Sequence, residues 1–119
     1  MRRKTGSLVP LELAICSAAL GLRDRGVEQF HGYLIAKELK DTSNTKLLTA
    51  YGTLYRALAR LLDQGWIETV DAGPPEVDER RKHYRLTSLG LRVAKAEARR
   101  LDTLTRAARQ GGLLKKEAR

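Results

Sequence analysis

The sequence predicts a mainly α-helical fold with one small β-hairpin, followed by a long C-terminal helix. Three observations predict it. Apolar residues recur at helical spacing in four segments, aromatic and β-branched residues alternate in two short segments between the third and fourth of these, and Gly, Pro and short polar residues mark the boundaries. With 119 residues and 42% of them apolar, the chain predicts one hydrophobic core and no multidomain enzyme. No internal repeat or linker composition divides it.

Pro10 suits the first turn of helix one, where its missing N–H has no intrahelical partner, and Leu11, Ile15, Ala18 and Leu22 follow at helical spacing. The other faces of this helix are small or apolar, which predicts packing on several sides. Gly26 breaks the pattern, and His31-Gly32 precede a second periodic segment, Tyr33 to Lys40. Its apolar stripe is Ile35, Ala36 and Leu39, with Tyr33, Lys37 and Lys40 opposite. Asp41 to Thr45 is a loop by composition. A third helix begins near Thr49 and runs to Gln64, where Gly65 can end it in a left-handed conformation. Leu54, Leu58, Leu61 and Leu62 give its core side; the remaining face carries Thr49, Gly52, Thr53, Arg56 and Arg60.

Trp66 to Val70 and His83 to Thr87 read as strands, joined by a long loop that ends in Arg80-Arg81-Lys82. Thr87 can cap a final helix, which continues from Leu89 until Gly111-Gly112. The order is that of a winged helix-turn-helix (α-α-α-β-β) with a long C-terminal α-helix added. Residues 1–87 are expected to form the winged DNA-binding domain with a short basic N-terminal arm. Residues 88–119 are expected to form a dimerisation helix and frayed tail, the two packing as one compact unit.

The charge is positive: 23 Lys+Arg against 14 Asp+Glu give +9 and a pI of about 10.1. Such an excess implies an acidic partner, either nucleic acid, an anionic membrane surface or an acidic protein. No run approaches the ~20 apolar residues of a membrane-spanning helix. The most apolar stretch, Leu11 to Leu22, contains Glu12 and Ser17, and no cleavage site follows it although Arg2, Arg3 and Lys4 precede it. The single cysteine, Cys16, lies in an apolar helical run, so the expected location is the reducing cytoplasm and no membrane partner is expected.

In a winged helix-turn-helix, helix two crosses the phosphate backbone, helix three enters the major groove and the hairpin loop lies along the adjacent backbone. The exposed face of helix three combines small residues, Gly52 and Ala57, with the hydrogen-bonding Thr49, Thr53, Arg56 and Arg60. Arg56 is the base-reading candidate, because its planar fork matches guanine O6 and N7. Lys46, Arg60, Arg80, Arg81 and Lys82 suit phosphates, where charge matters more than pattern. Basic residues on an exposed helix are also ordinary solvated surface, and Glu76, Asp78 and Glu79 can offset the loop's charge through weak ion pairs. The rings of Tyr51 and Tyr55 are expected to pack, with at least one hydroxyl on a phosphate.

An enzyme is not expected. His31 and His83 stand in different elements with no Cys or paired carboxylates at metal-ligand spacing, so each reads as a cap or a surface residue. No nucleophile motif and no glycine-rich phosphate cradle occurs, and the residues name no catalytic group, metal, cofactor or small-molecule inducer. Basic winged helices can also serve as RNA-binding or structural nucleic-acid-binding proteins. The 5% aromatic content disfavours that alternative, because readers of single-stranded RNA offer several stacking rings.

The segments His31-Gly32-Tyr33, Gly52-Thr53-Leu54-Tyr55 followed by Ala57-Leu58-Ala59-Arg60-Leu61, Gly65-Trp66-Ile67, and Tyr84-Arg85-Leu86-Thr87 followed by Gly90 resemble the PadR family of bacterial transcriptional regulators. The likeness runs over roughly residues 10 to 95. It implies a dimeric winged-helix repressor whose Gly-Thr-Leu-Tyr segment lies on the recognition helix. By position it also implies a DNA-backbone contact for Tyr55 and a place near a phosphate for Tyr33. Where the family commonly has Pro after that tyrosine, this chain has Arg56. Some small members hold planar drugs between aromatic side chains at the dimer interface, and the last helix here has no aromatic residue.

Along that helix Leu91, Ala94, Ala98, Leu101, Leu104 and Ala108 form a narrow apolar seam. It is expected to make a homodimer on double-stranded DNA with an inverted-repeat operator.

Overall fold

The computed structural model describes residues 8–42, 51–70 and 82–114. Within them the elements are α1 (Pro10–Asp24), α2 (Gly32–Thr42), α3 (Tyr51–Asp63), β1 (Ile67–Val70), β2 (His83–Leu86) and α4 (Ser88–Gln110). This is the expected winged-helix order. Lys46, Thr49, Arg80 and Arg81, together with the remainder of the loop that the sequence places between the strands, lie outside the described residues.

Pro10 opens α1, and Val9 stands before it in extended backbone, donating its N–H to Glu12 Oε1 at 3.1 Å. A carboxylate at the third helical position thus satisfies an N–H at the start of the helix. Leu11, Ile15, Cys16, Ala18, Ala19 and Leu22 are all buried, a distribution wider than one helical stripe. The reason is the surroundings: α1 packs against α2, α3, α4 and β2, so it is the central element.

The two strands pair antiparallel, with Ile67 opposite Leu86 and Val70 opposite His83. Sequence periodicity missed one feature of this sheet. Phe30, just before α2, pairs with Tyr84 through N–H to O contacts of 3.0 and 2.7 Å, so the hairpin is stitched to the α1–α2 connection. A single paired residue has no periodicity to detect. The rings of Phe30 and Tyr84, both fully buried, lie 5.9 Å apart.

Gly65 closes α3 with a φ of +77°, which lets the Trp66 N–H reach the Leu61 carbonyl at 3.0 Å. Thr87 then ties that turn to α4. Its hydroxyl donates to the Gly65 carbonyl at 2.7 Å and accepts from the Gly90 N–H at 2.9 Å, while its own N–H donates to the Trp66 carbonyl at 3.1 Å. Gly90 is required by this close approach, since a Cβ there would stand 2.0 Å from the Trp66 carbonyl oxygen.

The expected seam of α4 divides in two. Ala94 belongs to the chain's own core, and Leu91 packs against it. Beyond them Ala98, Leu101 and Leu104 are exposed and Ala108 is half-buried. The spacing marks a stripe without telling which part of it the chain covers itself: Ala94 is buried in the chain's own core and Leu91 is half-buried against it.

Replacing Gly90 by alanine must displace backbone rather than a flexible side chain. Gly90→Ala is therefore expected to destabilise the fold by about 2–3 kcal/mol or more, read as a lower urea midpoint at unchanged slope. An unaltered midpoint would refute the close packing of α4 on Trp66.

Candidate nucleic-acid interface

The amphipathic pattern of α3 decides which side chains it offers to a partner. Leu54, Ala57, Leu58 and Leu61 turn inward. Gly52, Arg56 and Ala59 face solvent and Thr53 is half-buried at their flank. Arg56 Nη2 donates to Thr53 Oγ1 at 3.3 Å. With no side chain at Gly52 and a methyl at Ala59, another molecule can come close to the backbone here. Ala57, expected on this face, is 8% exposed and belongs to the core.

Arg60 has a different task from the one expected. Its Nε lies 3.1 Å from Glu12 Oε2, with the Glu12 side chain 3% exposed and that of Arg60 25% exposed. The guanidinium also sits 5.7 Å from the centre of the Trp66 ring. Arg60 leaves α3 on the flank between the inner and outer faces, so its long side chain can reach either way. A buried carboxylate needs a counter-charge, and that requirement draws it inward. Arg60 thus joins α1 to α3, a contact the sequence reading did not include.

Tyr55 packs against the start of α2. A Cβ at Gly32 would stand 2.7 Å from the Tyr55 hydroxyl oxygen, so only glycine fits beneath that ring. The ring of Tyr55 packs as expected, and its hydroxyl end lies at the first turn of α2. The side chain of Tyr51 lies outside the described residues.

At the same turn His31 acts as the helix cap, its Nδ1 accepting the Leu34 N–H at 3.2 Å. Tyr33 stacks on the His31 ring with centroids 6.4 Å apart and remains 61% exposed. The edge of the His83 pair closes the group from the hairpin side, with ring centroids 5.6 Å apart. Lys37 and Lys40 continue the exposed face of α2, and Lys82 is exposed just before β2. The first turn of α2, the outer face of α3 and the base of the wing therefore adjoin. Sequence reasoning placed these residues on three elements and missed the His31–His83 contact that joins two of them. Only the fold brings positions so far apart in the chain together.

Burial, helped by the negative charge of Glu12, pushes the Cys16 thiol up to about 12, so it stays protonated and unreactive. Among the described residues no three His, Cys, Asp or Glu side chains gather where they could hold a metal ion, and no helix is long and apolar enough to cross a membrane.

A family model described as the PadR-like family of transcriptional regulators matches residues 22–96. The chain belongs to the PadR-like family. It is accordingly a DNA-binding transcriptional regulator and not an enzyme. Solved structures carry the same fold. A PadR family regulator of Clostridium difficile superposes with a TM-score of 0.66 at 23% identity, over 84% of this chain and 95% of its own. Another, from Eggerthella lenta, gives 0.62 at 28% identity over 90% and 89%. A transcriptional regulator from Clostridium thermocellum gives 0.66 at 23% over 84% and 87%. The search of curated proteins gave no match.

The Arg60 assignment is testable against the role expected from sequence. Arg60→Ala removes the counter-charge that Arg60 offers Glu12 and is expected to cost about 1–3 kcal/mol, because the pair is partly exposed. The salt dependence of DNA binding should not change. A variant of full stability with a flattened salt slope would return Arg60 to the phosphates.

Proposed function

We propose that this PadR-like regulator binds a specific double-stranded DNA sequence as a homodimer and represses transcription from an inverted-repeat operator in the cytoplasm. The observation that carries this reading is the outer face of α3, where Gly52 leaves the backbone bare beside the fork of Arg56, which makes no ion pair among the described residues. Arg56 reads a guanine in the major groove. Gly52 lets the bases approach the helix backbone, Thr53 flanks that strip, and Thr49 is a further candidate for a contact with the DNA. Tyr33, Tyr55 and Lys82, with Lys46, Arg80 and Arg81, hold the phosphates, which fix the register but carry no sequence information.

The homodimer is supported by apolar surface that one chain leaves uncovered. Leu101 and Leu104 are 38% and 52% exposed, with Leu113 and Leu114 exposed beyond them. A groove of about 460 Å³ lies between the start of α1 and this part of α4, lined by Leu8, Pro10, Leu13, Ala14, Ala98 and Leu101. A second copy of α4 laid along Ala98, Leu101, Leu104 and Ala108 would cover both. In this division residues 1–87 bind DNA and 88–119 bring two such units together. A two-fold axis would then present the recognition helices about 34–36 Å apart, at successive major grooves.

Leu101→Glu with Leu104→Glu alters exposed positions and is expected to yield a folded monomer by analytical ultracentrifugation that no longer retains an inverted-repeat duplex selected by the wild type. A dimeric double variant would remove α4 from the interface. Arg80→Ala with Arg81→Ala is expected to weaken binding to all duplexes alike and to reduce the slope of log affinity against log salt by about 2. An unchanged slope would take the wing off the DNA.

A further inference from the structure

Arg56 is held by its own helix and not by an acid. Its Nη2 donates to Thr53 Oγ1 at 3.3 Å, and its Nη1 lies 3.5 Å from where a Cβ on Gly52 would stand. The guanidinium therefore leans back toward the N-terminal end of α3, over the bare strip that Gly52 leaves. That lean follows the general direction of helical side chains, and the hydrogen bond to Thr53 selects it from the many rotamers of an arginine.

Five other described arginines meet a carboxylate: Arg25 with Glu38, Arg60 with Glu12, Arg85 with Glu68, Arg100 with Glu97 and Arg106 with Asp102. Among the described residues Arg56 makes no ion pair, and the one acid of α3 is Asp63, two turns further on. The difference matters chemically. A carboxylate would hold the fork and neutralise it, whereas a hydroxyl holds it and leaves its charge intact. Nη2 keeps its second hydrogen and Nη1 keeps both, enough for a bidentate contact while the bond to Thr53 persists.

We propose that Thr53 is a positioning residue for base readout. Its hydroxyl presets the Arg56 fork over Gly52 for paired hydrogen bonds to O6 and N7 of one guanine. This rests on the DNA-binding reading given above. The N-terminal part of a recognition helix is the part that meets base edges, which is the end toward which the fork is held. Ordering Arg56 before DNA arrives removes that cost from the binding step, and it favours the one base whose acceptors match the preset geometry.

The test selects duplexes from a randomised library with the full-length protein, then measures the ratio of specific to non-specific affinity at each position of the selected site. Arg56→Ala should relax one base pair per half-site by about ten- to a hundredfold. Thr53→Val, close in shape but without the acceptor, should relax the same base pair by about three- to tenfold, with unchanged non-specific affinity and salt slope. Thr53→Ser should restore the wild-type ratio, which a loss of packing alone would not allow. Discrimination by Thr53→Val equal to wild type would overturn the proposal, as would relaxation at a different base pair, which would mean that Thr53 touches DNA itself. A wild-type selection that enriches no duplex would overturn the DNA reading and this inference with it. Enrichment with a wild-type profile for Arg56→Ala would overturn the inference alone.

Discussion

A carboxylate taken out of water must find a counter-charge and hydrogen-bond donors, and among the described residues Glu12 is the most deeply buried carboxylate. One of its oxygens accepts the Val9 N–H and the other faces Arg60 Nε. Arg60 in turn lies over Trp66, whose backbone carbonyl receives the Thr87 N–H and leaves no room for a Cβ at Gly90. The start of α1, the end of α3, the turn into the hairpin and the start of α4 are therefore joined in one continuous chain of contacts. A buried ion pair contributes little net stability against an apolar alternative, but breaking one side of it is costly, so its effect is to reject arrangements in which α3 is rotated or shifted. The angle at which the recognition helix leaves the body is set from inside.

The same constraint explains how the outer surface is organised. Because Arg60 is drawn inward, the outward stripe of α3 is left to Gly52, Thr53, Arg56 and Ala59. Because the ring of Tyr55 rests against Gly32, that stripe lies beside the first turn of α2, where Tyr33 is exposed on the His31 ring. The hairpin reaches the same point through two links, the backbone pairing of Phe30 with Tyr84 and the contact of His83 with His31. Groups separated by fifty residues of sequence thus share one surface, and rigid elements rather than loops hold the described ones in place. Preset geometry of this kind favours discrimination between sequences, since little ordering is left for the moment of binding.

Much of this was legible in the sequence. Helical periodicity located α1, α2, α3 and α4. Pro10, Gly65, Thr87 and Gly112 marked boundaries through chemistry that acts within a few residues: a missing N–H, a positive φ and a side-chain cap. The resemblance of four short segments to the PadR family fixed their relative order. What sequence could not settle was the direction of side chains on the edges of a stripe. Arg60 and Ala57 both sit where an amphipathic pattern turns from inside to outside, and the buried Glu12 that decides the fate of Arg60 lies forty-eight positions earlier. Leu91 and Ala94 pose the same problem along the axis of α4, where one periodic stripe serves the chain's own core first and remains uncovered only later. Phe30 fell to a third cause, since an isolated paired residue leaves no pattern.

The net charge of +9 takes on a narrower meaning once its location is known. Arg85 is paired with Glu68 across the strands, Arg25 ties α1 to Glu38 of α2, and Arg100 and Arg106 pair along α4. The Arg100 guanidinium holds the Glu97 carboxyl below the usual carboxylate range through their hydrogen bond, yet Glu97 is only half-buried and Arg100 is exposed, so the pair adds little to stability. That small contribution is present at neutral pH and fades as acid protonates Glu97. Among the described residues, exposed Lys37 and Lys40 of α2, Arg56 of α3 and Lys82 lie toward the face where these elements meet, while Arg92, Lys95, Arg99 and Arg109 are exposed along α4. A uniform positive surface would attract DNA in any orientation. A surface on which five of the other described arginines meet a carboxylate has fewer competing sites, and at the outer face of α3 the base-reading fork is held ready by a group that leaves its charge untouched.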